Sequence, residues 1–353
     1  MLDPSKYADD QTVAFGAGLR RELAAHVEAE GAKRVLVLTT PQQSDLGQEL
    51  AGQLGARAAG IFSKAAMHTP VEITEEALAH LKSLDADWVL AAGGGSTIGL
   101  GKALALRTEI SQIALPTTYA GSECTPILGQ TEGGVKTTLK DPRVRPDVVL
   151  YDPELVATLL AAMTVTSALN AIAHAVEALY AQDRTPASDE LALLGIQAFK
   201  SALPDVMDDP DDLKAREATQ RGAWACGTVL GRVGMALHHK LCHTLGGSFD
   251  LPHAETHAIV LPHAVAYNAA AVPDLLAPLA SLFGESDPGL GLWRFAKSLG
   301  APMALADIGL KEADLDHAAE LATKNPYWNP RDVTLEGIRG LLQRAWSGEA
   351  PKP

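Results

Sequence analysis

The sequence predicts an α/β N-terminal domain followed by an all-α C-terminal domain. Three observations carry this reading. Short aliphatic runs alternate with amphipathic stretches up to about residue 150. A three-glycine turn directly follows one of those runs. Beyond Pro153 the alternation disappears, and Ala/Leu-rich segments continue to Arg344.

In chain order, residues 34–39 (RVLVLT) form the first clear strand and 46–54 an amphipathic helix. Residues 72–84 repeat the helical spacing, and 88–92 (WVLAA) form a second strand. Residues 112–115 and 147–151 follow the same strand pattern. Strands regularly separated by helices call for parallel pairing with both sheet faces covered. The segment FGAGLR at 15–20 has half of a nucleotide fingerprint but runs into Arg20 and Arg21 where a third glycine belongs. It predicts a turn opening a helix.

Pro153 and Glu154 open the helical half, Thr164 or Thr166 caps the next helix, and the acidic stretch 204–212 forms a turn. The expected domains are therefore 1–153 and 154–353. Residues 155–176 carry no Asp, Glu, Lys or Arg, but their Thr, Ser, Asn and His content predicts a buried helix pair rather than a membrane span.

Composition excludes several functions. Of 353 residues 47% are hydrophobic and 20% charged, which suits a folded chain with substantial cores. A net charge of −14 without a basic run argues against nucleic acid and anionic membrane surfaces. Cys124, Cys226 and Cys242 are an odd set without CxxC spacing, as expected of reduced thiols in a cytoplasmic protein. The acidic start MLDPSKYADD lacks the apolar core of a signal peptide.

Gly93, Gly94, Gly95 and Ser96 join a strand to a helix. Such a turn lets the backbone approach a pyrophosphate, and the helix start offers free N–H groups. Neither a Walker motif nor the strict dinucleotide fingerprint is present, so a plain tight turn and a phosphate cradle both remain open. Thr117, Thr118 and Ser122 follow the third clear strand, at the carboxyl end where open α/β sheets bind ligands.

Six of the 11 histidines lie between His238 and His263, a concentration that scatter explains poorly. Asn170 and His174 share a helix face at i, i+4, as do His239 and His243, and His253 follows as a loop histidine. Three imidazoles can hold a catalytic zinc ion. Against that, Asn170, best placed to add an anionic ligand, is a neutral amide. The other chemistry is metal-free, with imidazoles as proton donors or as cations facing carboxylates.

Taken together and in order, the glycine turn, PTTYAGSE at 116–123, NAIAHAVE at 170–177, HHKLCHTLGG at 238–247 and LPHAETHAIVLPH at 251–263 resemble the iron-containing (group III) alcohol dehydrogenase superfamily. The resemblance covers essentially the whole chain. It implies a Rossmann-like N-terminal domain, a helical catalytic domain and a cleft between them, the dehydroquinate synthase-like architecture. Metal-dependent members hold iron or zinc with an aspartate and three histidines, positions that fall here on Asn170, His174, His239 and His253. His243 falls on the neighbouring active-site histidine.

Three departures are evident. Asn170 replaces the aspartate, Gly99 stands where metal-dependent relatives usually carry another aspartate, and the loop at 116 is one residue short. All three fit a metal-independent branch that reduces the conjugated double bond of maleylacetate, a dicarboxylate, to 3-oxoadipate in aromatic-compound catabolism. On that reading His243 and His253 are catalytic, and Asn170, His174, His239, Lys240 and Arg232 contact substrate. Lys324 and Arg331 are further carboxylate partners, and the aromatic segment 325–331 covers the site. Gly93, Gly94, Gly95, Ser96, Thr117, Thr118, Thr40, Ser122 and Lys136 are expected to hold the cofactor, with Lys140 assisting.

NADH is the expected cofactor, with NADPH also admitted because neutral Thr40 stands near where NAD-specific relatives place an acid. No metal is expected. The expected partners are a small dicarboxylate and a second copy in a homodimer. The alternative is a metal-dependent alcohol or polyol dehydrogenase of the same superfamily. A lyase of the dehydroquinate synthase type needs the metal site that Asn170 weakens, and a histidine-rich metal store leaves the glycine turn unexplained.

Overall fold

The computed structural model describes residues 2–352. They divide into two compact units, one running to Leu159 together with Pro210–Gly231, the other Leu160–Asp209 with Arg232 onward.

The first unit is built on strands β1 (Thr12–Phe15), β2 (Val35–Leu38), β3 (Ala58–Phe62), β4 (Trp88–Gly93), β5 (Ser111–Pro116), β6 (Ile127–Glu132), β7 (Val135–Lys140) and β8 (Val148–Tyr151). Six of them form a sheet in the order β1-β8-β5-β4-β2-β3, parallel throughout. The other two form an antiparallel hairpin turning at Gly133 and Gly134, both at positive φ. Helices α1 (Leu23–Ala29), α2 (Ser44–Leu54), α3 (Val71–Ser83), α4 (Gly95–Thr108) and α5 (Pro153–Ala157) complete the chain up to Leu159.

Strand β2 explains why the sheet is covered on both faces. Val35 and Val37 pack with Leu23, Leu50, Leu90 and Leu115. Leu36 and Leu38 point the other way, to Leu81, Leu100 and Leu104. A strand buried on both faces reads as a continuous aliphatic run, which made it legible. Strands β1 and β3 and the β6–β7 hairpin are additions to the expected elements. β1 and β3 are the two edges of the sheet and only partly buried, so neither carries such a run.

Because the strands are parallel, their carboxyl ends share one edge. Leu38 pairs with Ala91 and Gly93 with Pro116. Thr40, the glycine turn, Thr117 and Thr118 therefore follow neighbouring strands at the same edge.

The second unit is helical: α6 (Ala161–Ala178), α7 (Pro186–Asp208), then, beyond α8 (Leu213–Arg232), α9 (Leu237–Phe249), α10 (His253–Ala269), α11 (Pro273–Phe283), α12 (Pro288–Ser298), α13 (Leu315–Thr323) and α14 (Leu335–Ser347). α10 is buried without a break from Thr256 to Asn268, as a helix surrounded by others must be. Its core partners include Leu241 and Leu245 of α9, Ala318 and Ala322 of α13, and Leu341 and Leu342 of α14. No helix among the described residues is long and apolar enough to cross a membrane.

Three local expectations are corrected. α6 starts at Ala161 behind Leu160, so Thr164 and Thr166 are not caps, and the Thr166 hydroxyl donates to the carbonyl of Ala162 (2.9 Å). Pro204 lies inside α7, which runs on to Asp208 and is capped at its start by Thr185 and Ser188. His253 opens α10 instead of sitting in a loop.

The expected division at 153/154 also differs from the compact units, which place most of α8 with the sheet. Trp224 is fully buried with its ring edge-on to Phe15, and the Gln220 amide donates to the Asp152 carbonyl (3.1 Å). A Cβ built on Gly227 would lie 2.8 Å from both Cα and O of Gly121. Gly227→Ala is therefore expected to destabilise this unit by about 1–3 kcal/mol, because backbone cannot rotate away as a side chain can. Denaturant unfolding measures it, and an unchanged midpoint would contradict the contact.

Candidate active site

In the first unit the glycine turn leads straight into α4. Its N-cap is Gly94, which supplies no side-chain cap, so the first amides of α4 have no competing side-chain acceptor. A Cβ on Gly95 would meet nothing within 4 Å beyond the adjoining backbone, whereas one on Gly94 would press on Thr118 Cγ2 at 3.0 Å. The turn thus leaves an open approach at Gly95 beside helix amides, which fits a pyrophosphate.

Thr117 Oγ1 accepts from Gln43 Nε2 at 3.1 Å, and Thr40 caps the short turn Pro41–Gln43. Gln43 was not among the expected residues. Its only sequence signal was its place just after the Thr40–Pro41 turn that ends a strand. Ser122 begins the turn Ser122–Cys124 behind Gly121. Lys136 lies in β7, but its side chain is outside the described residues, and Lys140 ends that strand exposed. A Cβ on Gly99 would lie 2.4 Å from Thr69 Oγ1, so the aspartate of metal-dependent relatives has no room as the chain is packed.

In the second unit five of the six clustered histidines come together with His174. The rings of His174 and His239 are 5.0 Å apart, those of His239 and His257 5.2 Å, and those of His253 and His257 4.2 Å. His239 and His243 lie 6.0 Å apart, His238 and His257 4.8 Å. His263 is the exception, a buried core residue whose imidazole burial pushes down to about 3 and so keeps neutral.

The cluster has depth. His174, His238, His239 and His257 are buried, while His243 and His253 are exposed. Burial first, then the neighbouring imidazoles, holds His238 and His257 well below the usual histidine range. They are neutral at pH 7. His243 Nδ1 meets the Tyr327 hydroxyl at 3.0 Å. Asn170 is buried on α6, its Oδ1 without a hydrogen-bond partner in the structure.

Behind the cluster stands a carboxylate, the last residue of the 170–177 motif. Glu177, fully buried on α6, accepts from the backbone N–H of Ala236 (2.7 Å) and His238 (2.6 Å) and meets His239 Nδ1 at 2.8 Å. The far nitrogen of that ring, Nε2, lies 2.9 Å from His174 Nδ1.

His238, Cys242 and His257 form a compact trio, with 3.0 Å between ring nitrogens and 3.7 Å from Cys242 Sγ to His238 Nε2. The outer ring nitrogens of both histidines lack partners. A metal-bound imidazole almost always gives that nitrogen a partner, so the trio reads as a buried hydrogen-bonded cluster.

The cationic candidates separate. Lys240, partly buried, holds its Nζ 5.8 Å from the Tyr327 ring centre, and Arg232 is partly buried at the end of α8. Arg331 donates to the Tyr267 carbonyl (2.7 Å) and stacks on that ring at 4.2 Å. These contacts tie the 325–331 segment to α10. Lys324 is exposed, and Tyr327 and Trp328 of the same segment are each less than half exposed.

Fold and site together define a dinucleotide-type sheet and a helical unit carrying a histidine centre. Family models agree: residues 10–153 match iron-containing alcohol dehydrogenase, and residues 164–346 match the C-terminal part of the Fe-containing alcohol dehydrogenase family. The chain belongs to the iron-containing alcohol dehydrogenase family. Within it, the sequence is 57% identical to a maleylacetate reductase of Rhizobium sp. strain MTP-10005, over 96% of this chain and 97% of that one. It is 50% identical to a maleylacetate reductase of Sphingobium indicum, over 99% and 98%. The crystal structure of maleylacetate reductase from Agrobacterium tumefaciens superposes with a TM-score of 0.95 at 56% identity, covering 97% of each chain.

Proposed function

We propose that the chain catalyses the nicotinamide-dependent reduction of maleylacetate to 3-oxoadipate. The observation that carries this is the histidine centre: two exposed imidazoles, His243 and His253, in front of a buried set in which neutral Asn170 takes the anionic position. Such a centre suits proton donation to a dicarboxylate better than Lewis-acid activation of an alcohol.

The nicotinamide supplies a hydride, and the substrate's double bond, conjugated to its ketone, accepts the electron pair as an enolate. The protein must then stabilise the developing oxyanion and deliver one proton to carbon. His243 and His253 are the residues to do this, being the accessible imidazoles. Lys240 and Arg232 are the candidate partners for the two carboxylates. Asn170, His174 and His239 contribute polar contacts. The glycine turn, Thr117 and Thr118 serve the cofactor, and neutral Thr40 leaves NADPH admissible beside NADH.

The reaction is read as metal-free. Two features support that. Asn170 offers a divalent cation only a neutral amide, and a direct N···N contact of 2.9 Å joins His174 to His239. A proton shared there occupies a lone pair that a cation would need. Activity is expected to survive exhaustive chelation with metal content assayed. Loss restored by iron or zinc would refute the reading. Asn170→Asp is expected to raise retained zinc to about one ion per chain after dialysis, by completing a three-histidine, one-carboxylate set. The metal analysis decides this independently of activity.

A homodimer and a cytoplasmic compartment complete the proposal, the latter suited by three buried free cysteines. The decisive experiment follows NADH absorbance with maleylacetate and then with small alcohols and aldehydes. Consumption with maleylacetate, matched by 3-oxoadipate, is the expected result. Turnover confined to the alcohols would favour a metal-dependent alcohol dehydrogenase.

A further inference from the structure

We infer that Glu177 is a positioning residue that sets the direction of the hydrogen bonds running through His239 to His174. The inference rests on the reading of the histidine centre as metal-free. A buried carboxylate without a proton only accepts. Glu177 lies fully inside the protein and already takes two backbone N–H groups at the start of α9, through Oε1 from His238 and Oε2 from Ala236. The third contact, Oε2 to His239 Nδ1 at 2.8 Å, then requires the ring to carry its proton on Nδ1.

A neutral imidazole protonated on Nδ1 has a bare Nε2. That atom lies 2.9 Å from His174 Nδ1, so His174 in turn must donate from Nδ1, which leaves its Nε2 without a proton. One carboxylate thereby orders two rings. Both become acceptors at their Nε2 atoms, and neither can donate a proton from that atom to an enolate. Proton delivery falls to His243 or His253. Asn170, one turn before His174 on α6, has an unpartnered buried Oδ1, so the inner part of the centre is rich in acceptors. That arrangement suits a water molecule held among the acceptors, which donates to them through its hydrogens.

The same residue fastens this chemistry to the fold. α9 has no side-chain cap from its own N-cap residue, Ala236, and the Glu177 carboxylate from α6 takes that place. Moving Glu177 would shift the backbone of His238 and His239 as well as the proton on the His239 ring.

The test separates the two roles. In protein labelled with ¹⁵N-histidine, His239 and His174 are expected to show the Nδ1–H tautomer, assigned by loss of each signal in the single His→Gln variants. This readout needs no substrate, so it stands whatever the enzyme reduces. An Nε2–H tautomer or a doubly protonated ring at His239 would overturn the inference.

Two variants add a functional arm. Glu177→Gln can keep its carbonyl at the Oε2 position, retaining the His239 and Ala236 bonds, whereas Glu177→Met retains none. The expected result is kcat within about tenfold of wild type for Glu177→Gln and about 10²-fold lower for Glu177→Met, with the KM for NADH unchanged in both. His239 should revert to the Nε2–H tautomer only in Glu177→Met. Equal kcat losses in the two variants, with His239 unchanged in both, would assign Glu177 to helix capping alone and overturn the positioning role. If Glu177→Met does not fold, the wild-type tautomers decide.

Discussion

His243→Ala is expected to lower turnover on maleylacetate by about 10²- to 10⁴-fold, the range of a positioned general acid. The imidazole is exposed at the front of the cluster, its Nδ1 engaged by the Tyr327 hydroxyl at 3.0 Å, so proton transfer falls to Nε2. Behind it His238 and His257 are buried and held neutral, and cannot serve as an acid at pH 7. The loss should appear in kcat, with the KM for NADH close to wild type, because the glycine turn is untouched. Removing an exposed side chain should also leave thermal stability nearly unchanged. A near-normal rate in this variant would pass the role to His253, and His253→Ala would then show the large loss.

Gly95→Val is expected to weaken NADH binding by about 10²-fold or more. A pyrophosphate must come within hydrogen-bonding distance of the first amides of α4, and a branched side chain at Gly95 fills that approach. Each charge-assisted bond lost is worth roughly 1.5–3 kcal/mol, and about 1.4 kcal/mol is a factor of ten. Beyond the adjoining backbone of the turn and helix, nothing lies within 4 Å of the position the new Cβ takes, so the fold should tolerate the change. Titration of NADH fluorescence and thermal unfolding together test this. Unaltered affinity with unaltered stability would remove the turn from the cofactor site.

Legibility of the sequence followed burial. β2, β4, β5 and β8 were visible because strands covered on both faces are continuous aliphatic runs. The edge strands β1 and β3 carry no such run, and the hairpin packs Leu128 and Leu139 into a small core with Ala103 and Val144. Pro204 suggested a break, yet α7 continues past it because local punctuation is weaker than packing on both sides.

The site was legible in its residue types and not in its hierarchy. Helical spacing placed Asn170 with His174 and His239 with His243, since i, i+4 neighbours share a face wherever the helix goes. Which of six histidines face solvent, which lie inside and which, like His263, stand apart depends on helices meeting from distant parts of the chain.

By itself the sequence determined the two-part architecture, the glycine turn, the Asn170–His174 pair and the concentration of histidines. These are local properties, carried by periodicity and residue identity. Tertiary structure alone decided that most of α8 belongs with the sheet, that Gln43 joins Thr117, and that Arg331 is tied to Tyr267. It alone placed the Glu177 carboxylate behind His239. The physical reason is common to all four: each is a contact between residues far apart in the chain, chosen by complementary donors, acceptors and volumes that no short-range pattern records.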